Sequence, residues 1–395
     1  MIKWFTYLFY LIFFSNVSFT QNNYPYGKID IHYFDPNEYN GESQNWDITQ
    51  TSDGLIVIAN NKRVIRYDGT EWSTLELDNK DEVRSLKTVN ETTYIGGYSE
   101  FGEIYYDSLG TFSYQKLSDT TAKGFYHNAI KAFNTINFVS KKQIYTLQND
   151  ASFKVTLIPE GYPIQNSMPF NNSIIIDPKV DTVNQKRCLL FDGSKFIPIN
   201  NSQLFTPRAV FSENNKHYLI SYIGEIKELI FVNNSYNLIH TDLYNNLQFN
   251  GEELDIYSIA IRNNIIAVGT DGSGIYLFDL HGKFIRHINS SDGLSNLQIR
   301  KLYFDNSNNL WSANDEGIYL INLSNPIVSF DSNYGVTSSV EDFKFEKDRT
   351  LLLTHDDLFE SSVLDTKKIF TNTNLFNLDL YRVEDFTFSD GTMHS

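Results

Sequence analysis

The sequence predicts an all-β fold, a β-propeller of four-stranded antiparallel blades, and three observations predict it. Units of about forty residues recur along the chain; 15% of its residues are aromatic, mostly Tyr and Phe; and short apolar stretches alternate with turns rich in Asn, Asp and Gly. Four short strands joined by tight turns consume about forty residues, and one such sheet cannot bury both of its faces. Stacking the units radially supplies the missing cover.

The chain opens with MIKWFTYLFYLIFFSNVSFTQ. Lys3 is a short positive n-region, Trp4 to Phe14 an apolar h-region, and Ser18 and Thr20 are the small residues that precede a cut. Residues 1–20 are therefore expected to be a signal peptide cleaved near Thr20-Gln21, which places the mature chain in the periplasm or outside the cell. The apolar run is shorter than the roughly twenty residues of a membrane span, so a membrane link requires an uncleaved signal or a segment further along. No cysteine follows the run, which excludes lipoprotein processing.

Nine segments then share one pattern: an apolar strand, a turn, a second apolar strand often ending in Gly or Ala, another turn, and a third strand with Tyr or Phe. They begin near Asn45, Val83, Asn128, Ser167, Pro207, Ile256, Ile299, Val340 and Val383, a spacing of roughly 38 to 49 residues. The first two strands of each unit, such as SIAIR and IIAVGT, are the most apolar, as expected of strands covered on both faces by neighbouring blades. Gly96, Gly97, Gly269 and Gly274 stand at strand ends or in hairpins, where turn geometry explains them better than phosphate binding.

A lone strand, KIDIHYFD from Lys28 to Asp35, precedes the first unit. It is expected to supply the outer strand of the seventh blade and close a ring over residues 28–333, with residues 337–395 as the incomplete start of a second propeller. The competing count is a single eight-bladed ring running to the end of the sequence.

Blade seven reads LYFDNSNNLWSANDEGIYLIN, with Asn309, Leu310, Trp311 and Tyr319; blade six repeats it as VGTDGSGIYLFD, and blade one carries NWDI, GLIVIAN and RYDGTEW. These units resemble the two-component-regulator propeller repeat found in the periplasmic sensor regions of bacterial hybrid two-component and triple-tyrosine-motif, LuxR-type regulators. The resemblance implies an extracytoplasmic, ligand-sensing propeller that is not itself an enzyme. It also implies a tyrosine-rich sandwich, a membrane helix and a kinase or helix-turn-helix output, none of which follows the repeats here, so the chain reads as truncated, a fragment or one part of a split gene. In the motif, Asn309 to Trp311 and Tyr319 are packing and turn positions.

Other function classes find little support. The formal charge is −16 and no Lys/Arg-rich run occurs, which argues against direct nucleic-acid binding. Cys188 is the only cysteine, so neither an intrachain disulfide nor a cysteine metal cluster forms. The histidines, at 32, 127, 217, 240, 281, 287, 355 and 394, lack zincin spacing, and His281 and His287 are expected on solvated surface flanking an outer strand. Gly272-Ser273-Gly274 lacks the strand-to-helix setting of a nucleophile elbow. Asp53-Gly54, Asp271-Gly272 and Asp292-Gly293 are turn signals before they are calcium loops. No catalytic, cofactor or metal residue is assigned, no cofactor is expected, and the ligand-binding residues are unknown. The expected partners are an oligosaccharide or another small molecule at the mouth of the ring or between two propellers, and a homodimer is compatible with the chain. The alternatives are a propeller polysaccharide lyase or glycosidase, with its catalytic groups at one mouth of the channel, and a protein-interaction scaffold.

Overall fold

A computed structural model describes residues 27–77, 82–106, 111–178, 186–249, 251, 254–325, 327, 329–345, 349–355, 357–362, 370–373, 387–389 and 392–394. The expected signal peptide, its cleavage site and Asp181 to Gln185 of the longer blade-four hairpin lie outside them. Two compact units emerge, one over Ile29–Pro326 and one formed by residues 1–28 and 327–395.

The larger unit is a β-propeller of seven blades, at 45–76, 83–116, 126–157, 164–200, 207–240, 256–288 and 299–322. Each blade is an antiparallel sheet of four strands in sequence order, except that blade 7 takes its outer strand from the start of the chain. There Asp30–Phe34 pairs with Gly317–Asn322, Asp30 opposite Asn322 and Phe34 opposite Ile318. The innermost strands are Asn45–Gln50, Val83–Val89, Tyr126–Ala132, Ile164–Phe170, Pro207–Glu213, Ile256–Arg262 and Ile299–Phe304. Each lies beside the next, and the seventh lies beside the first, so the ring closes at seven and a single eight-bladed ring is ruled out.

Aromatic packing seals the closing joint. Phe34 is buried and lies parallel to Trp311 at 5.9 Å, with its edge toward Trp72 at 5.0 Å. Their burial joins the first strand of the chain to blades 7 and 1, and each such side chain contributes about 2–3 kcal/mol. At the rim, the outer strands of blades 4 and 5, Phe196–Asn200 and Ser235–His240, pair in parallel through Ile199 and Tyr236, merging two blades into one eight-stranded sheet.

Turn chemistry sets the inner hairpins. In blades 4, 5 and 6 the first two strands are joined by Asn171-Asn172, Asn214-Asn215 and Asn263-Asn264, all with φ between 42° and 62°. A two-residue hairpin turn that follows the strand twist needs positive φ at both positions, which asparagine tolerates better than other side chains except glycine.

Two sequence expectations change. The second strand is the most buried, as in Ile56–Asn60 and Leu310–Asn314, whereas the inner strand Ile256–Arg262 is only partly covered. An inner strand borders the central channel, so its cover is incomplete. Gly96 and Gly269 are not turn residues. A Cβ on Gly96 would lie 2.6 Å from the Tyr126 carbonyl of blade 3, and one on Gly269 would lie 2.4 Å from Ile299 Cγ2 of blade 7. Glycine is needed there because the neighbouring blade packs directly against the strand.

The smaller unit contains a four-stranded antiparallel sheet, Val340–Phe345, Arg349–Thr354, Leu358–Ser362 and Thr371–Asn372, and a hairpin of Thr387–Ser389 with Thr392–His394. Among the described residues no helix is long and apolar enough to cross a membrane.

Candidate functional site at the mouth of the ring

One irregularity recurs in every blade. The ladder between the first and second strands shifts at the second residue of the inner strand, at Trp46, Arg84, His127, Gln165, Arg208, Tyr257 and Arg300. Such a bulge leaves one residue unpaired and re-aims it. Because all blades are threaded in the same direction, these seven residues ring one mouth of the channel. The sheet of the smaller unit shifts at the same place, between Val340 and Asp342.

The residue after each bulge, or the bulge residue itself in blade 5, ties its blade to the next. Asp47 Oδ2 accepts from Leu86 N–H at 2.9 Å, Ser85 Oγ donates to Tyr126 O at 3.1 Å, and Asn128 Nδ2 donates to Ser167 Oγ at 2.9 Å. Asn166 Nδ2 donates to Pro207 O at 3.4 Å, Arg208 Nε to Ile256 O at 3.0 Å, and Leu302 N–H to Ser258 Oγ at 2.9 Å. Lys301 closes the circle on Asp47 of blade 1. These ties fix the positions from which the mouth residues project.

Two arcs of arginine and aromatic rings follow. On one side the Arg84 guanidinium sits 3.5 Å from the centroid of Trp46 and 4.9 Å from that of Phe125, and is paired with Glu82. Its Nε is buried with no hydrogen-bond partner among the described residues. Phe125 continues into Tyr98, 4.7 Å away between ring centroids and 43% exposed. Beside Tyr98 opens a groove of about 520 Å³ lined by Ser99, Lys116, Ser118 and Lys123. Ser118 Oγ is buried there without a partner among the described residues, and Lys116 Nζ reaches back 3.0 Å to the fully buried Glu100.

On the other side Arg300 is gripped by Asp315, its Nε donating to Oδ1 at 2.8 Å and an amino group to Oδ2 at 2.5 Å, and it lies 4.8 Å from the exposed Tyr257 ring. The Asp315 pair raises the Arg300 pKa and lowers that of Asp315. Arg208, next in the arc, is half-buried among Tyr222, Tyr257 and Asp255, and desolvation lowers its pKa. Behind it lies Asp177 on the second strand of blade 4, at a register position held by Gly96, Gly269 and Ala313 in other blades. Asp177 is 2% exposed and its Oδ2 lacks a partner among the described residues; burial pushes its pKa up to about 7 against the opposing charge of Arg208.

Residues singled out in the sequence fall elsewhere. Asp305 holds the blade-seven motif together, accepting from Asn309 Nδ2 at 3.0 Å and Trp311 Nε1 at 2.9 Å, while the buried Tyr319 hydroxyl meets Ser295 Oγ at 2.7 Å. These are turn and packing roles. His287 differs from expectation: it lies within the outer strand Phe284–Ile288, half-buried, 3.9 Å from the Tyr276 ring and bonded to Ser273 O at 2.7 Å. His281 is exposed. Gly54, Gly272 and Gly293 have φ of 95°, 110° and 106°, the geometry of turns, and no group of three metal-ligating side chains exists among the described residues. The mouth residues were missed because arginine stands at only three of the seven bulges and no local motif marks the position; a ladder register had to be known first.

The fold and this mouth define a seven-bladed β-propeller with an arginine- and aromatic-lined opening. Its solved neighbours include extracellular domains of two regulators of Bacteroides thetaiotaomicron, in keeping with the resemblance carried by the repeats. The extracellular domain of the hybrid two-component system BT4673 is 17% identical with a TM-score of 0.55, over 85% of this chain and 46% of that one. That of BT3049 is 14% identical with a TM-score of 0.64, over 88% and 50%. The chain thus spans about half the length of these domains. A streptogramin B lyase shares the fold at 12% identity and a TM-score of 0.55, over 75% of this chain and 98% of the lyase. No protein-family model and no curated protein sequence matches the chain.

Proposed function

We propose that the chain is the extracytoplasmic, ligand-sensing propeller of a bacterial signal-transduction or transcription regulator, non-catalytic by itself, with a saccharide or similar small molecule as its ligand. One observation carries it: the Trp46–Arg84–Phe125–Tyr98 arc opens onto a groove of about 520 Å³ with hydroxyl and amino groups along its wall. Flat aromatic faces beside convergent polar groups suit sugar rings, which stack through their C–H faces and hydrogen-bond through their edges. The likeness to extracellular regulator domains supports export and sensing. The ladder shift at Val340/Asp342 supports residues 337–395 as the opening of a second propeller, with 28–333 as the first.

A glycan array followed by calorimetry on the mature chain tests this. The expected result is saccharide binding that falls at least tenfold in Tyr98→Ala and in Trp46→Ala, with the saccharide recovered uncleaved. Cleavage of a polysaccharide would favour the lyase, and partner-protein capture without any small-molecule effect on melting would favour the scaffold.

A further inference from the structure

The groove beside Tyr98 is walled by charges that cancel. It lies between the turn Tyr98-Ser99, which joins the second and third strands of blade 2, and residues 118–124, which lead on to blade 3. Two bonds pin these segments together: Ser99 N–H donates to Gly124 O at 2.7 Å, and Gly124 N–H to Ser99 Oγ at 3.1 Å. Lys116, the last residue of the outer strand Phe112–Lys116, completes the wall, and its ammonium lies 3.0 Å from Glu100 Oε2.

Glu100 is fully buried, and Lys116 is its one ion-pair partner among the described residues. Its second oxygen, Oε1, accepts no hydrogen bond among them. A carboxylate kept in that setting costs stability, and what it does is hold the tip of Lys116. Two of the three ammonium N–H donors of Lys116 are left unused by the described residues. Lys123, on the exposed rim, is matched by Asp119, whose carboxylate is held as an anion by hydrogen bonds from the Thr121 hydroxyl and amide. In the adjoining arc Arg84 is likewise paired, with Glu82. Lys116 and Lys123 thus stand against Glu100 and Asp119, and the groove carries no net charge in a chain that is itself at −16.

An ammonium already neutralised adds little attraction for an anion but keeps its hydrogen-bonding capacity, and an acidic chain repels anionic ligands. We propose that Glu100 is the positioning residue that sets the specificity of this groove: it fixes Lys116 as a charge-cancelled double donor, so the groove takes an uncharged saccharide with neighbouring free hydroxyls and discriminates against uronates and sulfated sugars. Lys116 Nζ meets a pair of hydroxyls, rotation about the Ser118 Cα–Cβ bond turns its Oγ toward them, and the sugar ring stacks on Tyr98. This specificity presupposes that the groove binds sugar, and it fixes the charge class of sugar that the groove takes.

A glycan array that sets each neutral hexose oligosaccharide beside the uronate oligosaccharide of the same linkage, followed by calorimetry of the full chain with the tightest-binding pair, tests this. The neutral member should bind more tightly by about fivefold or more. In Glu100→Gln the groove gains a positive charge, and the uronate should gain about fivefold on the neutral sugar, a change of preference that a merely structural role for Glu100 would not produce. Lys116→Met should weaken the neutral sugar about tenfold. Should Glu100→Gln fail to fold, Glu100→Leu/Lys116→Met removes the pair whole, a replacement that buried ion pairs tolerate, and should weaken the neutral sugar by about the same tenfold. Uronates that bind the wild type as tightly as neutral sugars, a preference unchanged in Glu100→Gln, or affinity retained without the pair would overturn the proposal and leave the sugar site standing. A chain that binds no saccharide of either kind removes both.

Discussion

Lys301 Nζ of the seventh blade lies 2.9 Å from Asp47 Oδ1 of the first, so the last inter-blade tie of the ring is an ion pair where the other six are hydrogen bonds. Asp47 is 7% exposed and its second oxygen holds the Leu86 amide of blade 2. One carboxylate thus clasps three consecutive blades.

Asp47→Ala should therefore destabilise the ring by about 3 kcal/mol, since it leaves a buried amide unbonded and Lys301 unpaired. Asp47→Asn, which can still accept from Leu86, should cost less. Urea unfolding followed by tryptophan fluorescence measures both, and equal costs would show that the ion pair is immaterial.

Asp177 gives the fold a pH response. Its folded pKa is about 7 and its ordinary value 3.8, so between these values the native state holds a proton that the unfolded chain has released. Stability from this group is present below pH 4 and is lost as pH rises through 7, by an amount on the order of 4 kcal/mol. Asp177→Asn should remove that slope and raise stability at pH 8; a variant with the wild-type slope would assign the response elsewhere.

Gly269→Ala should cost about 2 kcal/mol, because the new methyl meets Ile299 Cγ2 at 2.4 Å across the joint of blades 6 and 7. Shortening that partner in Gly269→Ala/Ile299→Ala should recover part of the loss relative to the sum of the two single variants. Simple additivity in the double-mutant cycle would contradict a steric cause.

Cys188 is 1% exposed, its thiol donates to Phe205 O at 3.5 Å, and burial drives its pKa up. The native protein should resist thiol reagents at pH 8 and react with one equivalent in denaturant. Rapid labelling of the native chain would place this sulfur at the surface.

Much of the fold was legible because its rules are local. Alternating short strands gave the blades, turns rich in Asn, Asp and Gly marked the hairpins, and Lys28–Asp35, a strand with no partner of its own, pointed to closure through blade 7. The relative burial of inner and second strands was misread, since both are apolar and only the channel distinguishes them. Gly269 was misread for a similar reason: a turn is a property of neighbours in sequence, whereas the contact with Ile299 belongs to neighbours in space.

The sequence by itself determined an all-β repeat chain, its blade period and the strand that shuts the ring. Tertiary structure alone decided the mouth. Trp46, Arg84, Arg208, Tyr257 and Arg300 share no local motif; they meet because a ladder shift falls at the same point of every inner strand and the ring then bends those points into a circle. The same closure sets Lys301 against Asp47, more than two hundred positions apart, and an ion pair of that kind exists only once the last blade has met the first.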